Sequence, residues 1–296
     1  MTCEWLVTGA DGMLGRELVS RLKARKVDTV AADHRRLDIS DGDAVRAALE
    51  RYRPTFVANC AAWTDGDAAQ SHEAEALAVH GPARLAEACR VHGTILLHIS
   101  TDFVFPGDSD RPYRETDTPA PRTAYGRTKL TGERAVLATL PETGQVVRTA
   151  WLYGAGGSNF VRTVIRLEAV QDVLHDVDDQ RGQPTWTRDV ADRLILLGNF
   201  AREGIAPPGV YHATNSGQAT WNRLAREVFR LLGADPARIH PPGGGFSRSA
   251  GRRTQPAGTA RRVGGQQLIA PGEPVRMSAT TSRTTPRTRF TYTWGS

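Results

Sequence analysis

Five short apolar runs in the first 150 residues, each separated from the next by a stretch with helical spacing of its apolar positions, restrict this chain more than any other feature. Strands are expected over 4–8, 29–32, 56–60, 94–99 and 145–149, and helices over 14–24, 43–51, 73–91 and 123–140. Such alternation winds into a parallel sheet covered by helices on both faces, so the expected fold is a doubly wound α/β sheet rather than a barrel. Ser40 is the expected cap of the second helix, with Asp43 in its first turn, where a carboxylate meets the positive end of the helix.

After Ala150 the pattern loosens. Loops around 154–157 and 178–184 separate helical stretches over 160–168 and 187–200, and a last helix over 220–232 meets Gly233, a residue suited to a left-handed stop. The expected organisation is a dinucleotide-binding domain over 1–150, a smaller substrate lobe over 151–240 that can interleave with it, and an atypical basic tail over 241–296. From Pro241 onward glycine, arginine, threonine and proline dominate, apolar periodicity disappears, and little stable structure is expected. A natural basic tail and a shifted reading frame in a gene rich in G and C both produce such a change.

The net charge of +6 does not mark a basic body. Residues 241–296 hold nine arginines against the single acidic Glu273, which leaves the rest of the chain slightly negative. With no aromatic platform beside those arginines, nucleic-acid binding is not expected. Neither is a membrane, because no apolar run is long enough to span one. Residues 1–10 enter a strand without a basic region and cleavage site, so a cytoplasmic location is expected. Cys3, Cys60 and Cys89 lie far apart in apolar stretches and read as free thiols; His72, His80 and His92 read as helix-face residues, and no cluster has metal-ligand spacing.

The chemistry begins where the first strand ends. Gly9, Ala10, Asp11, Gly12, Met13, Leu14 and Gly15 follow it directly. Glycines at these three places permit a tight turn, close approach of backbone to a pyrophosphate, and close packing of helix on strand, while the helix start offers N–H groups to the anion. That is the phosphate cradle of a Rossmann-type sheet. After the second strand come Asp33, His34, Arg35 and Arg36. A carboxylate there suits an unphosphorylated ribose and the arginines suit a 2′-phosphate, so NADPH is favoured, with Arg35 its contact and NADH left open. Asp38 and Ile39 are placed to flank the adenine, and Asn59, Ala61 and Ala62 to line the other side.

Ser100, Thr101 and Asp102 close the fourth strand, and Tyr125 and Lys129 follow on a helix, four apart and so on one face. An ammonium beneath a phenol lowers the phenol's pKa and makes Tyr125 a proton-transfer group. Lys129 can also hold the nicotinamide ribose, and Thr101 can steady the substrate carbonyl oxygen.

With those residues in place, the chain resembles the extended short-chain dehydrogenases, and within them the dTDP-4-dehydrorhamnose reductase family with its relative dTDP-dihydrostreptose synthase. The resemblance covers about residues 3–240 and rests on Asn59 to Thr64, Ser100 to Gly107, Tyr125 to Lys129, Arg148 to Gly154 and Asp179 to Thr185. It implies hydride delivery from a reduced nicotinamide to C4 of a dTDP-linked 4-keto-6-deoxyhexose, with Tyr125 supplying the proton. Carried over by position, it also implies that Trp151 packs on the sugar, that Asp102 contacts the substrate, and that Asn159 and Gln180 place the diphosphate. An upstream 3,5-epimerase and a homodimer are partners of the kind it suggests. Gly66 ahead of Asp67, and Gln70, depart from the family pattern beside the site. Some relatives hold magnesium between subunits; Glu17 matches one such position, but Trp186, Thr187 and Arg188 provide no glutamate, so no metal is assigned. Against the reductase stands a non-catalytic dinucleotide-binding regulator on the same scaffold.

Overall fold

The computed structural model describes residues 2–61, 80–176 and 178–241, together with the backbone of two short strands, Arg262–Val263 and Gln266–Gln267, paired antiparallel. The expectation for the tail otherwise lies outside the described residues, as do Ala62 and residues 73–79 of the third expected helix.

The five strands read from the sequence form β1 (Trp5–Thr8), β2 (Thr29–Ala32), β3 (Phe56–Asn59), β4 (Ile95–Thr101) and β5 (Gly144–Thr149). Beyond them come the two-residue strands β6 (Leu152–Tyr153), β7 (Leu174–His175), β8 (Arg181–Gly182) and β9 (Thr185–Trp186), then β10 (Gly209–His212), which returns to the main sheet. β11 (Ala219–Thr220) pairs with β8, and β12 (Ile239–His240) with β7. The main sheet is parallel throughout, in the order β2-β1-β3-β4-β5-β10. After β2 the chain crosses back over β1 to lay down β3, so the loops leaving β1 and β3 part and a crevice opens at the carboxyl ends of those two strands.

Seven helices are described: α1 (Met13–Ala24), α2 (Gly42–Tyr52), α3 (Gly81–His92), α4 (Ala124–Thr139), α5 (Phe160–Glu168), α6 (Thr187–Arg202) and α7 (Trp221–Leu232). Strand alternation sorts those that cover the main sheet onto two faces. Trp5 and Val7 face α1 and α6, in a core with Leu18, Leu22, Val190 and Leu194, while Leu6 faces α2 and α3, in a core with Leu49, Val57, Leu85 and Cys89. Each fully buried leucine here stabilises the fold by about 1.5–3 kcal/mol. Thus α6 and β10, both beyond residue 150, cover and extend the sheet begun by the first half. The other described residues from 152 to 241 make the small lobe, where Val161, Val164, Ala225, Phe229 and Ile239 form a separate core. Gly233 ends α7 with φ +77°, the expected left-handed stop.

One expectation is corrected. The cap of α2 is Asp41, whose carboxylate accepts from the N–H groups of Asp43 and Ala44 at 2.9 and 3.1 Å; the Ser40 hydroxyl instead donates to Asp38 at 2.7 Å. The strand β10 was not foreseen, because four residues between Pro208 and a loop are too few to show a period.

Candidate active site

The glycine loop sits at the crevice. Gly9 has φ +60°, and a Cβ on it would lie 2.6 Å from the Ala61 nitrogen, so the loop after β1 touches the loop after β3. Gly12 N–H donates to the Gly9 carbonyl at 3.0 Å, and a Cβ on Gly15 would lie 2.2 Å from that same oxygen. Gly12 starts α1 with no side-chain cap and no acidic residue in the first turn. The first N–H groups of the helix are therefore left for an anion, which is the fit a pyrophosphate requires. Asp11 is exposed, Met13 is half-buried against Gly157, and Leu14 anchors the loop in the core. A Cβ on Gly12 meets just the Gly9 oxygen, at 3.2 Å. Gly12→Val is accordingly expected to fold and to bind NADPH at least about tenfold more weakly, read by fluorescence titration; unchanged affinity would remove the cradle from the site.

At the end of β2 the two arginines separate in role. Arg36 is folded back, donating to the Ala31 carbonyl at 3.2 Å and to the Tyr52 hydroxyl at 3.1 Å. Arg35 makes no hydrogen bond or ion pair among the described residues and is exposed. Asp38 accepts from the Ser40 N–H at 2.8 Å, and with the Ser40 hydroxyl this holds its carboxyl below the usual carboxylate range. Ile39 is buried against Gly81. Asn59 is fully buried: its Oδ1 accepts from Thr8 Oγ1 (2.8 Å) and Ala61 N–H (3.2 Å), and its Nδ2 lies 3.1 Å from His98 Nδ1. It shapes the wall from behind, as a strut between three strands.

Thr101, Asp102, Tyr125 and Lys129 come together beside this crevice. β4 runs two residues past its expected end, so Thr101 is its last residue and caps a 3-10 turn, Asp102–Val104, by accepting from the Phe103 N–H at 3.2 Å. Thr123 starts α4 by accepting from the Gly126 N–H at 3.0 Å. A Cβ on Gly126 would lie 2.3 Å from the Phe103 carbonyl oxygen, so glycine at this place lets the helix press on the turn and bring Tyr125 to Thr101, with which it hydrogen-bonds. The Lys129 ammonium donates to the Ile99 carbonyl at 2.5 Å.

The electrostatics correct one expectation. The Tyr125 phenol is raised and not lowered: burial, then the Asp102 carboxyl, push it up to about 12, against a lowering by the Thr101 hydrogen bond. A phenol of that kind is fully protonated at neutral pH, the form that donates. Burial pulls Lys129 down to about 8 and pushes Asp102 up to about 7. Asp102 Oδ1 accepts from Thr101 Oγ1 at 3.1 Å, while its Oδ2 has no hydrogen bond. Among the described residues no group of three His, Cys, Asp or Glu side chains could hold a metal ion, and no helix is long and apolar enough to cross a membrane.

The far wall differs from the expected picture in one respect. Trp151, at φ +45°, is stacked on Trp221 of α7 with ring centroids 3.5 Å apart and planes 4° apart, and Gly182 backs the same indole. Gln180 Oε1 accepts from the Trp221 indole at 3.2 Å. Asn159 caps α5 by accepting from the Arg162 N–H, and its amide donates to the Gly154 carbonyl at 2.9 Å and reaches Met13 Sδ at 3.5 Å, tying the lobe to the glycine loop. Trp221, Gly126 and the buried Glu133 were given no role from sequence. Trp221 carries the one available signal, a tryptophan directly after a helix cap.

A glycine cradle at the strand crossover, with Thr101, Tyr125 and Lys129 on the neighbouring strand and helix, defines an α/β protein of the short-chain dehydrogenase class. The chain matches the RmlD substrate binding domain model over residues 3–256 and belongs to that family. It is 61% identical to a dTDP-4-dehydrorhamnose reductase of Streptomyces griseus over 239 residues, 80% of this chain and 79% of that one. It is 51% identical to a dTDP-4-keto-6-deoxy-D-glucose reductase of Streptomyces niveus over 243 residues, 81% of this chain and 83% of that one. The crystal structure of a dTDP-4-dehydrorhamnose reductase from Bacillus anthracis in complex with NADP shares 32% identity and superposes with a TM-score of 0.79, covering 86% of this chain and 89% of that one.

Proposed function

We propose that this protein is an NADPH-dependent reductase of the C4 keto group of a dTDP-linked 4-keto-6-deoxyhexose, with dTDP-4-dehydrorhamnose as the substrate the relatives favour most. The observation that carries it is the Thr101–Tyr125–Lys129 set beside the uncapped start of α1. Bound there, the reduced nicotinamide supplies the hydride for the carbonyl carbon. The protein's own part is the other half of the addition. Thr101 holds the carbonyl oxygen, Tyr125 gives it the proton, and Lys129 stands four residues on to neutralise the phenolate left behind. Asn159 and Gln180 line the side from which a nucleotide diphosphate is held.

The test is NADPH oxidation by the full chain with dTDP-4-keto-6-deoxy-D-glucose, with and without a 3,5-epimerase, and identification of the sugar formed. Oxidation that requires the epimerase supports the L-sugar; cofactor binding without oxidation under either condition indicates the regulator. Arg35→Ala is expected to raise the KM for NADPH about tenfold and leave that for NADH unchanged, because its guanidinium is exposed, makes no hydrogen bond among the described residues and so is available to a 2′-phosphate. Equal effects on both cofactors would move that role elsewhere.

A further inference from the structure

Tyr125, Lys129 and Glu133 stand four residues apart on α4 and so share the face turned to β4. Three consecutive residues of β4 hold them: the Ile99 carbonyl accepts from Lys129, the Ser100 hydroxyl donates to Glu133 Oε1 at 2.5 Å, and Thr101 bonds Tyr125. Glu133 is the most enclosed of the three, its side chain 2% exposed, and it receives Arg148 of β5 through two bonds, Nε at 2.9 Å and a terminal nitrogen at 2.6 Å. Arg148 lies over the Phe105 ring at 4.9 Å, and its other terminal nitrogen has no hydrogen bond. A buried ion pair of this kind gains little stability over apolar side chains of the same volume, because both charges lose their water. Stability alone therefore gives a weak reason for a carboxylate here.

We infer that Glu133 is a positioning residue for the reaction: it keeps the Lys129 ammonium charged and fixes the Tyr125–Lys129 face of α4 against β4, without touching substrate or cofactor. This rests on the reading of Tyr125 and Lys129 as the reacting pair. The groups facing Lys129 are few. Cys60, after β3, is pushed up to about 12 by burial, and His98 of β4 is held well below its usual range by burial and by Lys129, so both are neutral near pH 7. Asp102, after β4, acts on Tyr125, and Arg148 is locked to Glu133. Glu133 is thus the anion that opposes the desolvation of Lys129.

The chain has three lysines, and Lys23 and Lys26 are exposed at the end of α1, so carbon-13 labelling of lysine gives three signals, with Lys129 assigned through Lys129→Arg. The Lys129 signal is expected to titrate near about 8 in the native chain. It should fall by about one pH unit in Glu133→Gln, and by a smaller shift in the same direction in Glu133→Gln/Arg148→Met, with the other two lysines unmoved. The double variant removes the stranded Arg148 charge and so keeps the fold if the single one does not. In Glu133→Gln, kcat should drop about twofold at pH 7 and approach about a tenfold loss near pH 9, with its alkaline limb moved to lower pH by as much as the Lys129 midpoint, and the double variant should follow its own smaller shift. KM for the sugar and the dissociation constant for NADPH should stay within about twofold. An unmoved Lys129 midpoint in the variants overturns the inference, as does a kcat loss matched by an equal loss of NADPH affinity. Should the native chain fail to oxidise NADPH while Lys129 shifts as stated, the reductase reading falls and the charge-holding role of Glu133 stands.

Discussion

Tyr125→Phe is expected to bind NADPH within about twofold of the native chain and to turn over roughly a hundred to ten thousand times more slowly. The substitution removes one hydroxyl and keeps the ring, which meets Phe103 edge-on with centroids 5.8 Å apart, so α4 has no cause to move. What disappears is the hydroxyl bonded to Thr101, a residue 7% exposed at the end of β4, and with it the proton donor proposed for the reaction. Absorbance of NADPH in single-turnover mixing reads the chemical step, and fluorescence titration reads binding. Turnover within about threefold of native would take the phenol out of the proton path and direct attention to Asp102, the other acid nearby, which burial pushes up to about 7 and so leaves partly protonated at neutral pH.

Gly15→Val should be more damaging to the fold than any change in the pocket. Its Cβ would lie 2.2 Å from the Gly9 carbonyl oxygen and 2.9 Å from Ala10 Cα, both backbone, so neither can rotate aside. α1 would have to lift from the loop that it closes. A loss of roughly 1–3 kcal/mol or more is expected from the overpacking, and with the helix start displaced the anion loses its N–H donors. Thermal melts with and without NADP read both effects: a lower Tm, and disappearance of the rise that the ligand gives the native chain. A native Tm with a full ligand-induced rise would contradict the packing described here. Gly12→Val is the contrast, since its added carbon meets just the Gly9 oxygen, at 3.2 Å, and is expected to leave the fold standing.

Local chemistry was legible where a residue type has one structural use. The glycine spacing after β1 foretold the turn at Gly9 and the tight packing at Gly15, and Gly233 foretold the end of α7. The i, i+4 spacing of Tyr125 and Lys129 foretold a shared helix face, because that follows from helix geometry alone. What the sequence concealed depends on contacts between distant segments. The hydrogen bond of Lys129 to the Ile99 carbonyl follows from how α4 crosses β4. The stack of Trp151 on Trp221 joins residues seventy positions apart, and no periodicity records it. Ser40 and Asp41 are both good caps, and the choice between them turned on Asp38 taking the serine hydroxyl.

The late contribution of α6 and β10 bears on how this protein comes into being. A nascent chain that has emerged as far as Ala150 holds the glycine loop, Thr101, Tyr125 and Lys129, yet the side of its sheet bearing Trp5, together with Leu18 and Leu22 of α1, still lacks the helix that covers it. Such a half-built intermediate presents a greasy surface to the crowded space around the ribosome, where chaperones or aggregation await it. Completion by residues 187–212 therefore ends a vulnerable interval in biosynthesis as well as finishing the sheet.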